Sequence, residues 1–289
     1  MTRRTQLGLA VLALGGLLAV FLAPLRERFL GRTRLRFPYL SRPIAADAYD
    51  KLAAKPGWAK AKAEVAPGVQ LNGLVRRPIS ASAPWVLFFP GNDESQLDRG
   101  QAFLIGLGGD LDWGLAVFAY RGYDSSDGKP ELASMRADAP EIVAKLCAAE
   151  HVAPSRLHIA GFSIGGHFAV HAARGAALRG QRAASLTLLA SADDIVMYHP
   201  SPWEKLSPGE DYQTRPFLNE VPAPVLVVQG TADSAFNGPQ QGQDIARALG
   251  SRARYEELPG VDHVPILVNA RALSLTREFI KQTAASGGT

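Results

Sequence analysis

The chain has 289 residues, 47% of them hydrophobic, enough to bury one large core, and it contains no repeat or low-complexity tract. Its net charge of +4 is unevenly placed: residues 1–36 hold seven Arg against one Glu, a balance of +6, and the remaining 253 residues carry −2. A basic excess beside a hydrophobic segment, not spread over the body, argues against nucleic acid as a partner. One cysteine, Cys147, excludes an intramolecular disulfide and a multi-cysteine metal site, and its place in the apolar stripe Ile142, Val143, Leu146 suits a buried helix face.

Thr5 to Leu25 is an uncharged run of 21 residues, long enough to cross a bilayer core as a helix. No small-x-small cleavage site follows it, so an uncleaved anchor is favoured over a signal peptide. Arg3 and Arg4 precede the run, while Arg26, Arg28, Arg32, Arg34 and Arg36 follow it. The positive-inside bias then places the body on the cytoplasmic side. This gives a domain plan of an anchor with its basic flank over 1–36, a linker over 37–59, a catalytic body over 60–284 and a short tail over 285–289. Pro38, Pro43 and Pro56, with no clean periodicity around them, support the linker reading.

From Val69 the chain alternates strand-like and helix-like segments. Val69 to Val75 alternates as a half-exposed strand does, whereas Trp85–Phe89, Leu115–Ala119, Leu157–Ala160, Leu186–Leu189 and Val225–Val228 are short apolar runs. Helical spacing appears between them, as at Phe103, Leu104, Leu107 and at Ile142, Val143, Leu146. The alternation predicts an α/β fold, a mostly parallel sheet with helices on both faces. Chemistry in such sheets sits in the loops at the carboxyl ends of the strands.

Three of those loops carry the residues of a nucleophilic site. Gly161-Phe162-Ser163-Ile164-Gly165-Gly166 follows one apolar run and precedes a helical stretch, the context of a nucleophile elbow, with Gly161 and Gly165 leaving clearance around Ser163. A serine hydroxyl is a weak nucleophile until an imidazole takes its proton, and the imidazole needs a carboxylate to fix its tautomer. Asp233 lies in the loop after Val225–Val228, and His263 lies near the chain's end in Val261-Asp262-His263-Val264. Asp193 and Asp194 compete for the acid role. Asp262 reads as a turn residue, since adjacent side chains diverge too far to hydrogen-bond as the dyad requires. The oxyanion of a tetrahedral intermediate needs two N–H donors. Ile164, at the start of the helix, supplies one, and Asn92, in Pro90-Gly91-Asn92 after Trp85–Phe89, supplies the other. Neither a metal nor an organic cofactor is implied, because no His/Glu cluster has ligand spacing.

With these residues in place, the chain resembles the α/β-hydrolase family from about residue 60 to 284. Tyr120-Arg121-Gly122-Tyr123-Asp124-Ser125-Ser126-Asp127-Gly128-Lys129-Pro130 is similar to the Tyr-Arg-Gly-Tyr-Gly-x-Ser-x-Gly-x-Pro stretch of a branch of membrane-associated serine hydrolases with acyl-protein thioesterase-like and serine-aminopeptidase-like members. The resemblance implies Ser163 as nucleophile, Asp233 as acid, His263 as base, and Asn92 with Ile164 as the oxyanion hole. It departs at two places: Pro90 stands where the branch carries the His of His-Gly-Asn, and Asp124 stands where it carries Gly. Only about thirty residues, Ser191 to Pro224, occupy the position where the family's peptidases insert a large cap. That minimal lid points to ester or thioester substrates, with an aminopeptidase or amidase, and then a non-catalytic scaffold, as alternatives. Oligomeric state and acyl-chain length are not legible.

Overall fold

The structure, a computed structural model, describes residues 39–191, 193–194, 213–236 and 238–286. The anchor expected at Thr5 to Leu25 and most of the expected lid lie outside them. Among the described residues, no helix is long and apolar enough to cross a membrane.

Eight strands form one sheet: β1 (Trp58–Ala66), β2 (Val69–Arg76), β3 (Trp85–Phe89), β4 (Gly114–Phe118), β5 (Leu157–Phe162), β6 (Ser185–Leu189), β7 (Val225–Gly230) and β8 (Ala253–Leu258). Their spatial order is β1-β2-β4-β3-β5-β6-β7-β8. The β1/β2 and β2/β4 pairs are antiparallel, and every pair from β4 to β8 is parallel. Every residue of β3, β4, β5, β6 and β7 is buried, which is why these strands read as unbroken apolar runs. Helices α1 (Ala46–Ala53), α2 (Gln96–Gly108), α3 (Leu132–Ala149), α4 (Ile164–Leu178), α5 (Gln240–Leu249) and α6 (Ala270–Ser286) connect or flank the strands.

The order of strands decides where a site can form. Chain passage from β3 to β4 goes to one side of β3, and β5 then returns to its other side. Loops leaving β3 and β5 therefore diverge around a crevice at the carboxyl end of the sheet. Those loops hold Pro90-Gly91-Asn92 and Ser163.

The expected linker is part of the body. Tyr49 and Leu52, three apart on α1, share a face and are buried. Tyr49 Oη donates to the Gly73 carbonyl of β2 at 2.8 Å, and the Leu52 carbonyl accepts from Gln101 Nε2 of α2 at 2.8 Å. The edge strands β1 and β8 are likewise additional to the expected set. In β1, Trp-Ala-Lys-Ala-Lys-Ala-Glu-Val-Ala alternates alanine with charge, too weak an apolar signal to stand out. In β8, five of six residues keep some exposure, so the strand carries Arg254, Glu256 and Glu257 at the sheet's margin.

Candidate active site

Ser163 sits between β5 and α4 with φ 55° and ψ −126°. That left-handed backbone costs a non-glycine residue on the order of 1–3 kcal/mol, and the surrounding packing holds it there. A Cβ on Gly161 would lie 2.5 Å from the Gly165 carbonyl oxygen, and one on Gly165 would strike the carbonyl oxygens of Phe89 and Pro90. The two glycines thus let the elbow close against the end of β3. Ser163 N–H donates to the Leu189 carbonyl at 3.1 Å, which fixes the turn to β6. Ile164 is the first residue of α4, so its N–H has no intrahelical acceptor and lies at the positive end of the helix.

The three residues expected to form a triad are brought together. His263 Nε2 lies 2.9 Å from Ser163 Oγ, and His263 Nδ1 lies 2.8 Å from Asp233 Oδ2. With Nδ1 protonated toward the carboxylate, Nε2 is left to accept from the serine hydroxyl. Asp233 is 2% exposed, yet its oxygens are satisfied: Oδ1 accepts from the N–H groups of Ala235 and Phe236 at 3.0 Å each, and Oδ2 also accepts from Gln229 Nε2 at 2.7 Å. These donors orient the buried carboxylate toward the imidazole. The competing acid Asp193 is turned elsewhere, pairing with Arg215 Nε at 2.6 Å, and burial pushes its carboxyl up to about 6.

Several supporting residues are invisible to motif reading. The imidazole of His263 is flanked by Phe162, with ring centroids 4.8 Å apart, and by Phe236, edge-on at 4.9 Å. Asp262 is more than a turn residue, because its Oδ1 accepts from Ser234 N and Ser234 Oγ at 2.8 Å each and from His263 N at 2.6 Å. It joins the loop of the acid to the loop of the base. Backbone donation from Ser234, and then from His263, holds its carboxyl below the usual range. Gln229 stands next to last in the otherwise apolar β7, a polar exception that could have marked it as a partner.

The loop expected to supply the oxyanion donor abuts Ser163. A Cβ on Gly91 would lie 2.9 Å from the Phe162 ring and 3.3 Å from Ser163 Cβ. Where the branch carries a histidine, Pro90 offers only its carbonyl, which accepts from Tyr120 Oη at 2.8 Å. Gln96 Nε2 donates to the Gly91 carbonyl at 3.1 Å, and Gln96 Oε1 accepts from Tyr120 N at 2.9 Å. Asn92 Oδ1 accepts from Tyr123 Oη at 2.7 Å. The Tyr-Arg-Gly-Tyr stretch therefore supports this loop, and Arg121 ties the stretch to α3 through two 2.6 Å bonds to Asp138.

The second departure also has a physical account. Asp124 has φ 45°, a region that asparagine and aspartate tolerate better than other side chains. Its Oδ2 accepts from Leu97 N at 2.7 Å in the first turn of α2. Burial nevertheless pushes the carboxyl up to about 6.

Three of the other described histidines have structural partners or surroundings, and the fourth, His151, is exposed in the loop before β5. His158 Nδ1 lies 2.8 Å from Ser185 Oγ, and burial lowers the ring to about 4. His167 accepts from Arg136 Nε at 2.7 Å, while His171 stacks beside Phe217. Cys147 is half-buried with its thiol pushed up to about 11 by desolvation, which keeps it unreactive. Among the described residues, no group of His, Cys, Asp and Glu could hold a metal ion.

No family model and no curated protein sequence matches the chain. Solved structures do. An alpha-beta hydrolase from Vibrio vulnificus superposes with a TM-score of 0.67 at 20% identity, over 91% of this chain and 92% of its own. The proline iminopeptidase of Mycobacterium smegmatis gives 0.62 at 15% identity, over 79% and 99%. A bacterial membrane phospholipase A, described as a virulence factor, gives 0.59 at 19% identity, over 98% and 99%. The chain has the α/β-hydrolase fold.

Proposed function

We propose that this chain is a serine hydrolase that cleaves acyl esters or thioesters through an acyl-enzyme, tethered to a membrane by residues 1–36. The observation that carries the reading is the continuous path Ser163 Oγ, His263 Nε2, His263 Nδ1, Asp233 Oδ2, with links of 2.9 and 2.8 Å. Ser163 Oγ attacks the substrate carbonyl as His263 Nε2 takes its proton, and Asp233 stabilises the imidazolium that results. The N–H groups of Ile164 and Asn92 receive the oxyanion. Collapse of the intermediate expels the alcohol or thiol, which leaves with the proton from His263. Water then attacks the acyl-serine by the same proton path, freeing the acid and restoring Ser163.

The ester or thioester preference rests on the shortness of the segment between Ser191 and Pro224, and a phospholipase among the structural neighbours is in keeping with it. The uncharged run at Thr5 to Leu25 supports the tether, and the five Arg that follow it support a cytoplasmic body. The deciding test is labelling of the full-length protein by a fluorophosphonate, with turnover of a short nitrophenyl ester. Wild type should label and turn over, while Ser163→Ala should lose labelling and about four to six orders of magnitude in kcat. Equal labelling of the variant overturns the reading. Turnover of amino-acid amides but not of esters would replace the ester assignment by an amidase. Carbonate extraction of membranes and reporter fusions at the carboxyl terminus test the tether and its side.

A further inference from the structure

Residues 40–44 run across the outside of the oxyanion loop. Leu40 N–H donates to Asn92 Oδ1 at 2.8 Å, Arg42 Nη1 pairs with Glu94 at 2.9 Å, and the Arg42 carbonyl accepts from Asp124 N at 2.8 Å. Ile44 N–H then donates to Ser125 Oγ at 3.2 Å. Between this strap and the start of α2 lies an open cavity of about 480 Å³, lined in part by Arg42, Ile44, Ala48, Glu94, Ser95 and Asp124.

Asn92 Oδ1 thus accepts two donors from opposite directions in the chain, Leu40 N–H from the strap and Tyr123 Oη from the loop after β4. Tyr123 is 0% exposed and packs edge-on against Tyr120 at 6.1 Å. Burial raises its phenol above the usual range, so it stays protonated as a donor. Held at Oδ1 from two elements, the Asn92 side chain is restrained, and with it the segment that carries the Asn92 N–H; Leu40 N–H also reaches the Tyr123 hydroxyl oxygen, so the two donors form one cluster.

We infer that Tyr123 and the strap at Leu40 are positioning residues, a two-donor clamp on Asn92 Oδ1 that aims the Asn92 N–H at the developing oxyanion. The inference rests on the assignment of that N–H to the oxyanion hole under the proposed function. Both donors act on Asn92 Oδ1 and not on the reacting atoms. Their effect falls on the transition state, where the oxyanion exists, and not on ground-state binding.

The test uses the full-length protein and a short nitrophenyl ester. Tyr123→Phe deletes one donor while keeping the ring, and Leu40→Pro deletes the other. Each should lower kcat about 10-fold with KM within about twofold, since a misaimed donor loses transition-state stabilisation alone. Combining them should lower kcat by more than the product of the singles, because each donor still holds Oδ1 when the other is lost. In an Asn92→Ala background, Tyr123→Phe should have no further effect on kcat. Lys51→Ala, whose ammonium pairs with Asp47 on α1, should match wild type. An unchanged kcat in both single variants overturns the clamp, as does an equal loss from Tyr123→Phe with and without Asn92 Oδ1. Should Leu40→Pro not fold, the Tyr123→Phe and Asn92→Ala cycle decides alone. Ser163→Ala separates the two levels: if it stays active, the hydrolase reading fails, and if it is dead while Tyr123→Phe is unimpaired, only the clamp fails.

Discussion

The turn after β5 is shaped by glycines that let it close on the carbonyl oxygens of Phe89 and Pro90 and by a backbone bond to Leu189, whereas the turn after β3 is held by hydrogen bonds from residues 40, 96, 120 and 123. Both loops belong to one crevice, and both are expected to stabilise the same tetrahedral intermediate. The elbow must present a strained residue, and strain is most securely imposed by short-range sterics. The oxyanion loop has only to aim an N–H, and hydrogen bonds from separate elements can do that without strain. One consequence is that damage to the elbow should act on fold and chemistry together, while damage to the oxyanion loop should be graded.

The largest expected effect on activity comes from Gly165→Ala. Its Cβ would meet backbone oxygens of Phe89 and Pro90, which cannot rotate away as a side chain could. We expect a loss of about 2–3 kcal/mol in stability, from denaturant unfolding, with at least a roughly 100-fold fall in kcat/KM. A variant with full activity would show that the elbow is less tightly closed on β3 than its contacts indicate.

Gln96→Leu breaks the other side of the comparison. The side chain is fully buried and serves two backbone groups at once, the Gly91 carbonyl and Tyr120 N–H. An isosteric apolar replacement leaves both without that partner, at a cost of about 2–4 kcal/mol in unfolding free energy. Fluorophosphonate labelling should slow but persist, because the triad is untouched.

Stability should also depend on pH through Asp124. Its folded pKa, pushed by burial to about 6 against 3.8 for the free group, means that the fold disfavours the carboxylate. The sign follows: above about 6 the buried anion opposes folding, and that opposition is relieved as pH falls from 6 toward 3.8. The gain is on the order of 2–3 kcal/mol. Asp193, raised in the same way, adds to it. Asp124→Asn should therefore flatten, without abolishing, the rise in unfolding free energy between pH 7 and pH 4. A slope identical to wild type would assign the whole effect to Asp193.

The same contrast explains what could be read in the sequence. Ser163, Asp233, His263 and the five buried parallel strands were legible because each is encoded locally, by a motif, a strand end or an unbroken apolar run. Gln96 and Leu40 were not, and Tyr120 stood out only as part of a motif without a role, because their importance lies in partners 5 to 52 residues away that no spacing rule connects. Helix α1 escaped for a related reason: only Tyr49 and Leu52 are buried, and two apolar positions among prolines do not make a period. The Pro90 and Asp124 departures looked like defects in a pattern, and in the fold each is met by other groups.

Asp262 is the sharpest test of where local encoding stops. By position it is a turn residue beside His263, yet its Oδ1 reaches Ser234 across a separation of 28 residues. If the base loop were held by its own turn alone, Asp262→Ala and Asp262→Asn would behave alike, each altering one exposed side chain. If Asp262 instead sets the spacing between Asp233 and His263, the alanine variant should lower kcat about 10-fold, and asparagine, which keeps an acceptor oxygen, should restore most of it. The carboxyl lies below its usual range, held there by donation from the Ser234 and His263 backbone N–H groups.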